Sequence, residues 1–303
     1  MSKAVRQIVL LLLCLLVAGV VVSVVLSGPK GNEPSYQGRK LRDWLSDYDP
    51  SVPQETRAQT DDAIRHMGTN TIPWLIERIC FRDDHILKQV SRAVFNKARA
   101  VNTTNRWELI DQAERRAFQA SMALAALGTQ AEGAIGELTK VIDGPYAGGT
   151  RTARSVIYAL SNLGPKALTP LMRTFTNQNA FARDAAVHWI GNLGTNASPA
   201  VPALVGFLDN METRLAIGAA FSLGEIHMDS ATAVPALANA LTTGTYRVGF
   251  QAATSLGKFG TNARSATPAL LTACNHRYDF MRQAATNALL KIAPEALTNA
   301  PPR

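Results

Sequence analysis

The chain has 303 residues, 47% hydrophobic and only 7% aromatic, with a formal net charge of +8. Its length allows two ordinary domains, but a strand-poor, Ala- and Leu-rich chain of short helices fits one continuous helical array better, with a mostly aliphatic core. The basic balance keeps anionic partners in view, and three isolated cysteines support neither a zinc site nor a disulfide.

Ile8 to Leu26 is a run of nineteen residues without a charge, preceded by Lys3 and Arg6. At 1.5 Å rise such a run just spans a hydrocarbon layer of about 30 Å. A cleaved signal needs a shorter apolar region and a small-x-small exit, which Val25-Leu26-Ser27 supplies poorly. Residues 1–27 are therefore expected to be an uncleaved N-terminal anchor, a transmembrane helix with its N-terminus cytoplasmic and the remainder extracytoplasmic, in the periplasm of a bacterium. If the segment is cleaved, the rest is secreted. Residues 28–35 form a short linker with two glycines and two prolines, counted from Ser27. Residues 36–303 then make up the folded part. It opens on a capping helix over 36–48, with Leu41, Trp44, Leu45 and Tyr48 on one face.

From there the chain repeats itself. Gly191 to Leu204 reads GNLGTNASPAVPAL and Gly257 to Leu270 reads GKFGTNARSATPAL. Between them lie Gly224 to His227 and Val234 to Leu237, so Pro202, Pro235 and Pro268 are spaced by 33 and 33. Self-similarity at this period, without a strand pattern, predicts stacked helix pairs. A first helix, A, carries a small-residue pair that lets a neighbour approach closely, as in Ala185-Ala186, Ala219-Ala220, Ala252-Ala253 and Ala284-Ala285. Its end is marked by glycine at 128, 164, 194 and 260. A Thr-Asn or Thr-Gln turn follows, and the proline sits in the first turn of helix B, where its missing N–H costs little. Leu204, Phe207 and Leu208, and likewise Leu237 and Leu241, give helix B an apolar stripe facing helix A.

The first repeat is visible from Ala63 to Ile76, and an enlarged one occupies about 77–128, with long helices expected over Asp84–Ala100 and Arg106–Leu127. A glycine-rich stretch from Asp143 to Thr150 lacks the following Gly-Lys-Ser/Thr of a phosphate loop and reads as an inter-repeat loop. Regular repeats fill about 183–297. The predicted architecture is an all-α solenoid of about seven helix pairs in a right-handed superhelix.

No motif points to catalysis, metal or cofactor. Gly-x-Ser-x-Gly and His-Glu-x-x-His are absent, and the five histidines occupy different repeat positions. His188, inside a helix A beside Trp189, reads as a satisfied or surface histidine. Arg154, Arg183, Arg214, Arg247 and Arg282 recur near the start of helix A. They read as a stacking ladder in which each guanidinium reaches a turn carbonyl or an acid of the adjoining repeat, such as Asp209 or Asp279.

The expected partner surface is the concave, outward side of helix B: Thr174, Asn177, Gly206, Asp209, Asn239, Thr242, Thr272 and Asn275. These small, nearly neutral residues suit a protein or peptide backbone better than phosphates. The alternative is electrostatic binding of nucleic acid or anionic membrane through Lys88, Arg92, Lys97, Arg99 and Arg106, a basic stretch with no acid from Lys88 to Arg106.

The Ala-Ala…Leu-Gly…Pro-Ala-Leu series resembles short HEAT repeats, over Ala63 to Leu297 and most clearly from Arg183 to Leu270. With its apolar N-terminus and Tyr-x-Gly-Arg-Lys-x-x-x-Trp-Leu segment, the chain also resembles bacterial membrane-anchored HEAT proteins of unassigned role, relatives of the phycobilisome-lyase HEAT group. Some HEAT-like relatives are bilin lyases or hydroxylases with His-Glu metal pairs. No such pair occurs here, so those activities do not carry over. With no catalytic motif and a nearly neutral helix-B face, the expected function is a non-enzymatic, membrane-anchored scaffold for protein–protein interaction, with nucleic acid the less expected partner.

Overall fold

The computed structural model describes residues 32–80, 103–144, 150–210 and 212–298. The expected anchor (1–27), the helix over Asp84–Ala100 and most of the basic stretch lie outside the described residues. Among the described residues, no helix is long and apolar enough to cross a membrane. Two compact units divide the chain, Met1–Ala123 and Leu124–Arg303.

The first unit opens on a hairpin, β1 (Ser35–Tyr36) and β2 (Arg39–Lys40), then α1 (Leu41–Leu45) and a 3-10 turn at Ser46–Tyr48. The capping helix thus starts at Leu41, not at residue 36. Gln37 and Gly38 have φ of 51° and 75°, the left-handed pair of a tight hairpin turn, and a helix cannot run through it. Helices α2 (Gln54–Met67) and α3 (Ile72–Cys80) follow, then α4 (Thr103–Leu127), which starts three residues before the expected Arg106. Leu41, Leu45, Ile64 and Leu75 are fully buried and form the core here. Asp47 joins the layers: it accepts from Arg39 at 2.7 and 2.9 Å and from Thr60 at 3.1 Å. The Arg39 guanidinium in turn lies 4.4 Å from the Trp44 ring.

The second unit is a run of helix pairs. After a 3-10 stretch at Gly128–Ala134 come α5 (Ile135–Asp143), α6 (Thr150–Leu160), α7 (Leu168–Arg173), α8 (Ala180–Trp189), α9 (Val201–Leu208), α10 (Thr213–Ile226), α11 (Ser230–Thr243), α12 (Tyr246–Leu256), α13 (Thr267–Ala273), α14 (Asp279–Ile292) and α15 (Glu295–Thr298). The A helices α6, α8, α10, α12 and α14 each pack on the next, and the B helices α9, α11 and α13 form a second layer behind them. This is solenoid stacking, with Leu204, Leu237 and Leu270 of the B helices fully buried between the layers.

The glycines at the ends of the A helices have φ between 55° and 99° at 68, 128, 164, 194 and 260, the left-handed conformation that a side chain opposes. Where the repeat has His227 instead, φ is again positive but the residue is left-handed helical, at φ 37° and ψ 33°, whereas Gly68, Gly164 and Gly194 have ψ of -152°, -175° and -136°. Elsewhere the linker winds as a 3-10 helix, as over Ile190–Ala200 and Gly260–Ala266. After His227 it is absorbed into α11, which starts at Ser230 and leaves Pro235 inside the helix. Pro202 and Pro268 do sit in the first turn of their helices.

The A helices touch through a seam of small residues. A Cβ on Gly224 would stand 2.5 Å from Ser255 Oγ and 2.9 Å from its Cα, so the two backbones are as close as a glycine allows. One pair earlier, Ser222 Oγ donates to the Val187 carbonyl at 2.7 Å, with the His188 carbonyl at 2.8 Å. Ion pairs between neighbouring repeats, such as Lys166–Glu132 at 2.6 Å and Arg264–Glu295 at 3.2 Å, are largely exposed and contribute at most about 1 kcal/mol each. Packing along the seam, rather than charge, holds the array.

Candidate functional site

Because glycine, alanine and serine line the seam and aliphatic residues such as Leu215 and Leu223 are buried, the large rings of an A helix are left to its outer side. In α10, Leu215, Ala219, Ser222 and Ile226 are buried, whereas Arg214, Ile217, Phe221 and Glu225, spaced by three and four, face outward and remain at least partly exposed. The same geometry turns out Phe181, Asp184 and His188 in α8, Phe250 and Thr254 in α12, and Phe280, Gln283 and Asn287 in α14. Phe181, Phe250 and Phe280 are 38–40% exposed, and Tyr246 is 45% exposed.

These rings are linked from one repeat to the next. Tyr158 of α6 meets Trp189 of α8 edge-on at 5.1 Å, and His188 of α8 stacks on Phe221 of α10 at 4.4 Å. Phe250 of α12 meets Phe280 of α14 edge-on at 5.6 Å. Lys258 lies over the Phe221 ring at 5.3 Å and pairs with Glu225.

Two cavities open along this row. One, of about 480 Å³, lies between α12 and α14, walled by Phe250, Phe280, Gln283, Asn287 and Lys291. The other, of about 300 Å³, is walled by Arg154 of α6, by Phe181, Asp184, His188 and Trp189 of α8, and by Arg214 and Ile217 of α10. Asp184 Oδ1 is buried there without a hydrogen-bond partner. Burial, and then Glu212, raise its pKa above the ordinary carboxylate value against the pull of Arg183, Arg214 and Arg154. His188 is pushed down, by burial first and then by Arg154. Its reading as a satisfied or surface histidine therefore changes: it is a half-buried wall of a cavity.

The arginine ladder divides. Arg183 donates to the Asn177 carbonyl at 3.0 Å and reaches Glu212 of the next repeat at 3.3 Å. Arg282 donates to the His276 carbonyl at 2.9 Å and pairs with Asp279. Both act as struts. Arg247 meets only its neighbour Tyr246, Asp209 receives none of the five, and Arg154 and Arg214 make no ion pair or hydrogen bond among the described residues.

Of the residues expected on the helix-B face, Gly206, Asp209, Asn239, Thr242, Thr272 and Asn275 are exposed. Thr174 is not: it is 4% exposed, and its hydroxyl donates to the Pro170 carbonyl at 2.9 Å. It lies in a 3-10 turn, Thr174–Thr176, which ends α7 after six residues and rotates the position inward. Asn177 is half-buried, its amide oxygen accepting from the Asn179 N–H at 2.8 Å. Thr242 and Thr272 donate to carbonyls of their own helices, Asn239 at 2.9 Å and Pro268 at 3.1 Å. Lys88, Arg92, Lys97 and Arg99 lie outside the described residues, and Arg106 is described only as backbone of α4. Among the described residues no three of His, Cys, Asp and Glu are grouped as a metal ion would need.

The sequence reading passes over Phe181, Asp184, Trp189, Phe250 and Phe280. One signal was available: Phe181, Phe250 and Phe280 each stand two to four residues ahead of an Ala-Ala pair. A bulky ring cannot share a seam that alanines keep narrow.

No curated protein matches the chain. Among solved structures, it is similar to an engineered protein, with 18% identity, 60% of this chain and 90% of that one covered, and a TM-score of 0.45. It is also similar to the CpcE–CpcF complex of phycocyanin lyase from Nostoc, with 16% identity, coverages of 89% and 94% and a TM-score of 0.42. A third is human deoxyhypusine hydroxylase, with 18% identity, coverages of 83% and 95% and a TM-score of 0.36. Residues 201–290, from α9 into α14, match the family model described as HEAT repeats, which supports a HEAT-type solenoid.

Proposed function

We propose that the chain is a non-enzymatic HEAT-repeat scaffold that holds a protein partner along the outer face of its A helices, with the apolar run Ile8–Leu26 attaching it to a membrane so that the repeats lie outside the cytoplasm. The observation that carries the choice of face is the row of half-exposed, inter-repeat aromatic contacts bordering two cavities. Binding energy concentrates in aromatic and arginine anchors that fill or frame pockets, and small polar residues contribute little. The helix-B positions are of the second kind, and two of their hydroxyls already donate to their own helices.

The experiment is photo-crosslinking in membranes with the full chain, the crosslinker placed at 254 or 287 on the A face and at 239 or 272 on the B face. The expected result is one discrete protein adduct from the A positions, lost in Phe250→Ala/Phe280→Ala and kept in Asn239→Arg/Thr272→Arg. An adduct from the B positions, lost in the second variant and kept in the first, returns the site to helix B. A nucleic-acid adduct in place of both, formed at low salt and not at high salt, supports the basic stretch. Alkaline carbonate extraction checks the anchor, which fails if the chain is released in soluble form.

A further inference from the structure

The cavity walled by α6, α8 and α10 has a more specific character than a generic apolar groove. Arg154 and Arg214 bring to it, from flanking helices, two guanidinium groups that have no ion pair or hydrogen bond among the described residues, and Asp184 brings a buried oxygen without a donor among them. Trp189, Phe181 and Ile217 supply apolar walls between them. The two cations exceed the one carboxylate, so a lysine or arginine side chain entering here meets net repulsion. A phosphate dianion would face Asp184 with no proton to offer it. A carboxylate with an N–H beside it meets both demands: guanidinium forks bind carboxylate oxygens, and the N–H satisfies Asp184.

We propose that this cavity is a carboxylate-binding subsite for a peptide, in which Arg154 and Arg214 hold the carboxylate of the ligand and Asp184 accepts from the adjacent backbone N–H. This deepens, and rests on, the assignment of the partner to the A-helix face. At about 300 Å³ the cavity lies at the small end of ligand pockets, which run from ~300 to ~1,000 Å³. A terminal residue, or a single acidic residue within an extended chain, is the scale it suits. The carboxylate has two sources, a C-terminus or an Asp/Glu side chain, and both present it next to a backbone N–H.

The test offers the immobilised full chain three sets of N-acetylated hexapeptides. One set has free C-termini and neutral side chains, one has amidated C-termini and one Asp or Glu, and one is amidated and free of acids. Retention of the first or second set, weakened about tenfold or more in Arg154→Gln/Arg214→Gln and in Asp184→Ala, is expected, and the retained set identifies the source of the carboxylate. Arg154 and Arg214 are exposed, so their substitution spares the fold, which far-UV circular dichroism verifies. Arg173→Gln, whose partner is Asp143, is the control and leaves retention unchanged. If the neutral amidated set binds equally, and Phe250→Ala/Phe280→Ala removes it while the arginine variant does not, the carboxylate subsite is overturned and the A-face reading survives. Retention lost only in Asn239→Arg/Thr272→Arg, or no retention of any set, overturns the subsite and the A face together.

Discussion

Replacing Gly224 by alanine adds one methyl group where two backbones already meet. In the undisturbed geometry that methyl would lie 2.5, 2.6 and 2.9 Å from Oγ, Cβ and Cα of Ser255, against an ordinary carbon contact of about 3.5–4.0 Å. The Cα cannot rotate away, so α10 and α12 must separate by roughly an ångström, and such overpacking typically costs about 1–3 kcal/mol. Alanine also favours a helix over glycine by about 1 kcal/mol, which masks part of the cost. Gly206 in α9 separates the two effects, because a Cβ there meets nothing within 4 Å. Gly206→Ala carries the propensity gain alone, so the difference between the variants isolates the contact, at about 1–3 kcal/mol. Urea unfolding of the full chain, read by circular dichroism, measures it, supplemented by hydrogen exchange because a repeat array need not unfold in two states. Gly224→Ala is expected to be the less stable of the two and to regain part of the loss when combined with Ser255→Gly. Equal shifts in both variants would refute the close seam.

His227 ends its helix in the left-handed helical conformation, φ 37° and ψ 33°, which glycine adopts without strain, so His227→Gly is expected to raise stability by roughly 1 kcal/mol, read as a higher urea midpoint; a lower one shows that the imidazole does more than tolerate the turn. Asp184 has a raised folded pKa, so the folded state holds the extra proton and stability falls as pH rises from the ordinary carboxylate value, about 3.9, through the folded one. Asp184→Asn should remove that fall, and an unchanged pH–stability curve contradicts the burial of Oδ1. His188 has a lowered folded pKa, so its contribution is complete above about pH 6.5 and is lost on acidification below it; His188→Gln should flatten that loss. Asp47 is held below the ordinary value mainly by its hydrogen bond from Arg39, which gives stability present above the unfolded pKa and lost as pH falls through the folded one. Asp47→Ala is expected to cost about 1–3 kcal/mol, seen as early melting of the first unit by hydrogen exchange; melting at the wild-type denaturant concentration argues against the Arg39–Asp47–Thr60 network.

The repeat was legible because three of its requirements are local. A left-handed turn selects glycine, a first helical turn tolerates proline, and a narrow seam selects alanine, so Gly194, Pro202 and Ala185-Ala186 carry their own explanations. What escaped were features fixed by neighbours. The Gln37–Gly38 turn is a two-residue hairpin only because the strands beside it pair. Thr174 points inward because α7 stops early and tightens, whereas Asn239, in the longer α11, points out. The Arg154–Asp184–Arg214 cavity joins residues from three helices, 30 apart in the chain at each step, and no single stretch of sequence contains it. Even the regular recurrence of arginine misleads, since among the described residues Arg183 and Arg282 find partners and Arg154 and Arg214 do not.

The exposed aromatics follow from the same seam. A helix that must approach its neighbour as closely as Gly224 approaches Ser255 has no room for a phenylalanine on that side, and the opposite stripe is occupied by Leu215, Leu223 and their equivalents against helix B. A ring on helix A can then lie only on the outer face. Serine or lysine at 181, 250 and 280 would leave both the seam and the inter-layer core intact and would cost the array only edge contacts such as Phe250–Phe280. Yet three of the ten phenylalanines occupy these positions at 38–40% exposure. Apolar area left in water contributes nothing to the free array, whereas a partner that covers it removes it from water, which is favourable. The rings are what the proposed docking face requires, and the stacking explains only where they stand.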